Sequence, residues 1–513
     1  MRLPRRPPRL REAVAATLAG VLLAGCGTSL ATGTAATSTT GSTAASTTTS
    51  TTVPAGVTTV AEALDANVTV EAGDTAYDDA EVTDVALSGT SATSDNDAVT
   101  SEDGTVSITA AGTYRLSGAL DGQVVVDGAG DGVVRLVLDG ATITSSTTAA
   151  VDVVDAQSVV VVLADGSNNT LADAATYADT SDEAPTGALY STADLTIGGT
   201  GSLTVTGNAN NGIVGKDGLV ISGGTIEVTS VDDGIIGKDY LVVSDGDVTV
   251  DAVDDGLKAD NTTDAGAGFV LVSGGAVTVT SEDDGVKGVQ VLVSGGTIDV
   301  AESVEALEGS LIVIDDGDLE LHSADDGVNV AATSAEGTDD SAATDGAGGP
   351  GGGGMAADRS LQLFVNGGTL EVWSSGDGLD SNGDATITGG DITVLGPTTE
   401  GNGALDVNGT FDVSGGTLVA TGSAGMLVAP SADSSQGWIA TVLTATASAG
   451  SEVVVTDDDG AEVATSTVEK DFASIVLSSA DIEPGATYTV TVDGTDTTVT
   501  AGEAPAGGGP MGG

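Results

Sequence analysis

The chain has 513 residues, 13 Lys and Arg against 76 Asp and Glu, a formal charge of −63 and only 2% aromatic residues. Such a surface repels nucleic acid, whose binding requires Lys and Arg to neutralise phosphates, and it favours divalent cations. One cysteine and one histidine exclude a disulfide framework, zinc sites and Cys-His catalysis, and leave a Ser-His triad without support.

Residues 1–25 read as a lipoprotein signal peptide. A basic segment ends at Arg11, an apolar run spans 13–24, and Leu23-Ala24-Gly25-Cys26 resembles a bacterial lipoprotein leader in which Cys26 is lipidated. The apolar run is too short to span a bilayer. The expected location is therefore the extracellular face of the cell membrane. Residues 26–56 are rich in Thr, Ser and Ala without hydrophobic period, and read as a disordered tether.

From residue 57 to 435 short alternating strands are expected, beginning at Val68 and Val70, with Gly or Asp-Gly at nearly every boundary and no helical period after the leader. Within this stretch a motif returns: Asn210-Asn211-Gly212, Asp232-Asp233-Gly234, Asp254-Asp255-Gly256, Asp283-Asp284-Gly285 and Asp325-Asp326-Gly327. The glycines lie 22, 22, 29 and 42 residues apart, the last being two steps with an altered rung at Val304-Glu305-Ala306. That period suits one coil of a solenoid and is too short for helical repeats. Each coil also carries a Gly-Gly corner, as in Leu219-Val220-Ile221-Ser222-Gly223-Gly224-Thr225-Ile226-Glu227-Val228, where Ile226 and Val228 should face inward and Glu227 outward. Three strands and three corners per coil predict an all-β fold, a right-handed parallel β-helix. A Gly-rich insertion, 333–358, interrupts the repeats. Residues 436–497 are expected to form a C-terminal β cap over the last coil, and 498–513 a disordered Gly-rich tail.

Stacking puts one set of carboxylates per coil in a column. Carboxylates ~4–5 Å apart repel by ~1 kcal/mol per pair even in water. Calcium, with six to eight oxygen ligands, removes that cost. The plain alternative is that corner Asp side chains bond to backbone N–H groups. Four of the five lysines, Lys216, Lys238, Lys258 and Lys287, fall on the same outer face by alternation, and the plain alternative for them is charge balance. Trp373 faces outward, where its ring could stack on a sugar or pack under the insertion or cap. His322, near Glu320, reads as a surface residue.

The order of Ala110-Ala111-Gly112-Thr113-Tyr114-Arg115-Leu116-Ser117-Gly118, then Val134 to Gly140 with Ile143, then Asp194 to Leu203, then the Asp-Asp-Gly coils resembles a bacterial surface family of carbohydrate-binding β-helix proteins. The family is pectate-lyase-like in fold and typified by a calcium-containing binder of polygalacturonic acid. The resemblance spans about Ala61 to Thr421. It implies calcium at Asp232, Asp233, Asp254, Asp255, Asp283 and Asp284, and pectin or uronate as ligand. The Asn210-Asn211 and Val304-Glu305 rungs depart from the pattern, which weakens metal binding there. The expected function is calcium-dependent binding of acidic polysaccharide by a monomer, with Lys216, Lys238, Lys258, Lys287 and Trp373 as sugar contacts and no catalytic residue. Two alternatives stand beside it: a pectate lyase acting by β-elimination with Lys258 or Lys287 as base, and a structural or adhesion protein.

Overall fold

The computed structural model describes residues 54, 56–130, 132–181, 184–333 and 357–505. Cys26, the insertion from Ser334 to Ala356 and the tail from Ala506 lie outside the described residues. The described chain is almost entirely β, built from strands rich in Val, Ile, Leu and Thr.

The strands form three long parallel ladders, each pairing with the strand one repeat further on. In the first, which follows the Asp-Asp-Gly turn, Ile213, Ile235, Leu257, Val286, Leu307, Val328, Leu379 and Leu405 are register partners in turn. All are buried in one continuous apolar core. In the third ladder, after the Gly-Gly corner, Ile226 and Val228 sit in matching inward columns between Leu203 and Val205 before them and Val248 and Val250 after, and Glu227 is exposed as alternation requires. The corner needs glycine for a local reason. Gly296 has φ +83, and a Cβ there would stand 2.9 Å from the carbonyl carbon of Gly274 in the neighbouring repeat.

The second ladder differs because both of its faces are apolar. Leu219 and Ile221 face the core, while Val220, Val242, Leu271, Leu292 and Val313 face outward and are also buried. Their cover is an N-terminal strap. A short helix, Val60–Ala66, starts it, with Thr59 as N-cap accepting from Glu62 N–H and Glu62 reaching back to Thr58 N–H at 2.9 Å. The strap then runs across the ladder against the direction in which the repeats advance. Asn366 Nδ2 donates to Thr58 O at 2.8 Å, Val60 N–H to Asp315 Oδ2 at 2.9 Å, Val68 N–H to Gly266 O at 2.9 Å, Glu71 N–H to the Tyr240 hydroxyl at 2.9 Å and Gly73 N–H to Thr196 Oγ1 at 2.8 Å. Two expectations are corrected here. A helix does follow the leader, too short at 7 residues to show a period. Val68 and Val70 are not strand residues; they pack in the strap against the second ladder.

Phe269 is fully buried under the strap, its ring stacked on Tyr240 with centroids 5.6 Å apart. Phe269→Ala is expected to cost ~3–5 kcal/mol and to expose residues 57–77 to protease before the ladders unfold. Limited proteolysis with a denaturant titration checks this; wild-type stability and protection would show that the strap does not depend on this contact.

The ladders' ends are covered rather than open. At one end Val99–Glu102 pairs antiparallel with Thr105–Ile108. At the other, Phe472–Ser478 pairs antiparallel with both Thr417–Gly422 and Trp438–Ala447. A separate antiparallel sheet of Ser451–Thr456, Glu462–Val468, Thr487–Val492 and Thr495–Thr500 adjoins it in sequence. Such covers remove a sheet edge that would otherwise template association.

Candidate functional site

The Asp-Asp-Gly turn leaves backbone N–H groups at a corner where no ladder partner is available, and buried N–H groups need acceptors. In four of the five motifs the second residue supplies one to the next repeat. Asn211 Oδ1 accepts from Asp233 N–H at 2.9 Å, Asp233 Oδ1 from Asp255 N–H at 3.2 Å, and Asp255 Oδ1 from Asp284 N–H at 3.2 Å. Beyond the altered rung, Asp326 Oδ1 accepts from Asp377 N–H at 2.6 Å. One oxygen of Asp233, Asp255 and Asp326 therefore pins repeat to repeat, and these three, like Asp284, are buried.

The same register lines up the outward residues of the first ladder. In order they are Val214, Ile236, Lys258, Lys287, Glu308, Asn329, Asp380 and Asp406. Neighbours in such a ladder are ~4.8 Å apart, so the column passes from apolar through cationic to acidic. Among the described residues, four acid triads bring carboxylate oxygens within 4.8 Å of one another: Asp232/Asp233/Asp254, Asp254/Asp255/Asp283, Asp284/Glu305/Glu308 and Asp326/Asp377/Asp380.

Lysines enter the first three triads. Lys258 Nζ stands 3.1 Å from Asp233 Oδ1 and 2.8 Å from Asp255 Oδ2; Lys287 Nζ stands 2.7 Å from both Asp284 Oδ2 and Glu308 Oε2. Burial alone would lower both ammonium pKa values. Asp255 and Asp233 override it at Lys258, and Asp284, Asp255 and Glu308 at Lys287, so both are held above the usual lysine range. The fourth triad differs. Among the described residues no lysine or arginine forms an ion pair with Asp326 or Asp380. Burial and then Asp377 push Asp326 up to about 8, while burial, Asp326 and Asp406 raise Asp380 well above the carboxylate range. Next to Asp380 in the column, Asn329 donates to Glu305 Oε2 at 2.7 Å, but its Oδ1 is buried and accepts no hydrogen bond. Among the described residues the Asp326 and Asp380 carboxylates have no ion-paired cation, and carboxylate and amide oxygens are the donor set of a hard cation, so the residues present fit calcium.

The structure thus brings Asp232, Asp233, Asp254, Asp255, Asp283 and Asp284 together in triads. It places Lys258 and Lys287 inside the acid column, engaged with its carboxylates. Lys216 is exposed, and Lys238 lies 4.0 Å from Asp260 Oδ1, both at the far end of the short strands. Trp373 is half-buried, donates Nε1–H to Glu371 Oε1 at 2.7 Å, stacks on His322 and packs on the C-terminal core. Sequence reasoning passed over Glu305, Glu308, Asp326, Asp377, Asn329 and Asp380 as site residues. The signal that finds Glu308, Asn329 and Asp380 is the residue two positions after the motif glycine, or after Ala306 in the altered rung, which faces outward in each of these repeats; Glu305, Asp326 and Asp377 immediately precede that glycine or Ala306 in the motif itself.

The family described as carbohydrate-binding domain-containing protein matches residues 102–401. That is more than half of the chain, and the chain belongs to this family. A curated relative of the same description, from Acetivibrio thermocellus, is 44% identical over 126 residues, which cover 24% of this chain and 44% of that protein. The matched segment therefore spans less than half of the relative's length. A solved structure, the polysaccharide lyase-like protein from C. thermocellum in a gadolinium derivative, is 33% identical, covering 46% of this chain and 99% of its own, with a TM-score of 0.41.

Proposed function

We propose that the protein binds an acidic polysaccharide such as polygalacturonate with the help of calcium, from the outer face of the cell membrane to which a lipid on Cys26 ties it. We further read the three ladders as a right-handed parallel β-helix. The observation that carries the reading is the outward column, in which charged groups repeat at the ladder spacing and, among the described residues, no lysine or arginine pairs with Asp326 or Asp380 at its acidic end. Family membership supports a polysaccharide as the partner.

Asp326, Asp377, Asp380 and Asn329 Oδ1 are the residues that would hold calcium, leaving coordination positions for uronate carboxylates and water. Calcium when bound would supply the positive charge that lets two anionic surfaces meet. Lys258 and Lys287 would keep the neighbouring triads neutralised, so that the column does not repel an anionic chain along its whole length. Exposed Lys216 extends the cationic side of the face. Many weak contacts along a linear polymer would act together.

The lyase reading asks Lys258 or Lys287 to accept a proton. Each is clasped by two acids that keep it protonated, and a charged ammonium cannot be a base. A purely structural role would leave the column without a ligand.

Retention on polygalacturonate tests the proposal. Binding is expected in calcium, is lost in EDTA, weakens on methyl-esterified pectin and is absent on cellulose. Asp380→Asn should reduce it at least tenfold. Equal retention with EDTA would overturn the calcium role, and release of unsaturated products would establish a lyase. In cells, Cys26→Ala should release the protein from the membrane fraction; a mature variant still on the membrane would exclude the lipid anchor.

A further inference from the structure

A second feature lies where the C-terminal segment meets the third ladder. A groove of about 340 Å³ opens there, lined among others by Ala301, Glu302, His322, Trp373, Ser375 and Lys470. Its volume is within the ~300–1,000 Å³ typical of small-molecule sites. The outward column of this ladder places His322 beside Trp373, and the two rings stack with centroids 5.5 Å apart and planes within 16°. One repeat earlier stands Ala301, too short to cover the His322 ring, and next to it the exposed carboxylate of Glu302.

Lys470 comes from the turn between Glu462–Val468 and Phe472–Ser478. Its Nζ donates to the backbone carbonyl oxygens of Ser374 and, at 3.2 Å, of Leu395. Among the described residues it forms no ion pair with a carboxylate, in a chain with 76 of them. Lys258 and Lys287, by contrast, each hold two. Burial lowers the Lys470 ammonium below its ordinary range. A cation partly removed from water with only carbonyl partners gains from an anion within reach. The groove is therefore lined by a cation, a flat ring stack and a carboxylate acceptor. Those three elements match a carboxylate, the apolar face of a pyranose ring and a sugar hydroxyl.

We propose that this groove binds one carboxylate-bearing sugar unit, with its carboxylate on Lys470, its ring against the His322–Trp373 stack and a hydroxyl donating to Glu302, and without a metal ion. The sugar class rests on the reading of the protein as a binder of acidic polysaccharide; the place and the charge come from the groove itself. It would hold a uronate unit of the polymer apart from the calcium-dependent contacts at Asp326 and Asp380.

The test titrates trigalacturonate and neutral galactotriose into the full-length protein in EDTA, by calorimetry and tryptophan emission. Trp438 is buried in the core, so the emission change reports Trp373. Trigalacturonate is expected to bind and change the emission, with galactotriose at least tenfold weaker. Lys470→Gln should weaken trigalacturonate at least tenfold and erase the preference, while Lys470→Arg keeps it. Ala301→Phe fills the groove from the ladder side without touching Lys470 and should also abolish binding, which keeps the test sound if Lys470→Gln loosens the C-terminal segment. No binding in EDTA, equal affinity for the two sugars, or an unchanged affinity in both Lys470→Gln and Ala301→Phe would overturn the proposal. Loss of calcium-dependent polymer retention with trisaccharide binding intact would remove the site at Asp380 and leave the groove standing; the reverse would remove the groove alone.

Discussion

Replacing Lys258 by Met is expected to lower stability by ~3–5 kcal/mol at neutral pH in EDTA, the usual cost of leaving a buried ion pair without one partner. Methionine keeps the unbranched stem and lacks only the ammonium, so the loss reports mainly charge rather than packing. Asp233 and Asp255 would keep their pinning bonds to the next repeat but lose the ammonium between them. Adding Asp233→Asn to Lys258→Met should restore part of the loss, since one of the two orphaned charges is then gone. Calcium should stabilise the single variant more than the wild type, because the acids around Lys258 would then need an external cation. Urea unfolding with and without calcium measures all of this. A Lys258→Met protein as stable as wild type would mean that the lysine is an ornament of the column and not its counter-charge.

The second large effect concerns the end of the column that has no lysine. Asp326 has its folded-state pKa raised to about 8, and Asp380 is raised well above the ordinary carboxylate value. An acid whose pKa is higher folded than unfolded binds more protons in the folded state across that window. Its contribution is full below the unfolded value of ~4 and falls as pH rises toward about 8. Metal-free protein should therefore lose stability between pH 5 and 8 through this site. Calcium at one hundred times its dissociation constant should return ~2.7 kcal/mol. Asp380→Asn should change the sign of the response. In EDTA at pH 8 it should be more stable than wild type, because one desolvated charge is removed, and with calcium it should gain little. Thermal unfolding across pH, with and without calcium, decides it. A variant less stable than wild type in EDTA at pH 8, with the calcium gain intact, would place the cation elsewhere.

How much of this could be read before the fold was known depended on how far along the chain the relevant physics reaches. Strand alternation is local, so the parity of Leu257 facing in and Lys258 facing out follows from two adjacent residues. The repeat of 21 to 22 residues, the glycine corners and the column of acids follow in the same way from spacing alone. Even the part-structural role of the corner Asp residues was open to inference, because a turn exposes N–H groups that a short acceptor can reach.

Tertiary structure decided which charge meets which, because register partners lie one repeat or more apart and their alignment passes through corners and insertions of varying length. Lys258 pairs with Asp233 of the preceding repeat as well as with Asp255 of its own, and Lys287 pairs forward to Glu308. Asn329 and Asp380 become neighbours only because the chain returns to register after the insertion. The strap was hidden for the same reason. Val220, Leu271 and Val313 look like core residues whichever face they occupy, and only the fold brings residues 57–73 across the ladder to bury the outer one. Lys470 reads as a solvated surface lysine until the C-terminal strands fold back, desolvate its ammonium and place it in the lining of the groove that also holds His322 and Trp373. Periodicity is written in neighbouring residues; the pairing of charges is a property of distances between repeats, and these exist only once the chain has stacked.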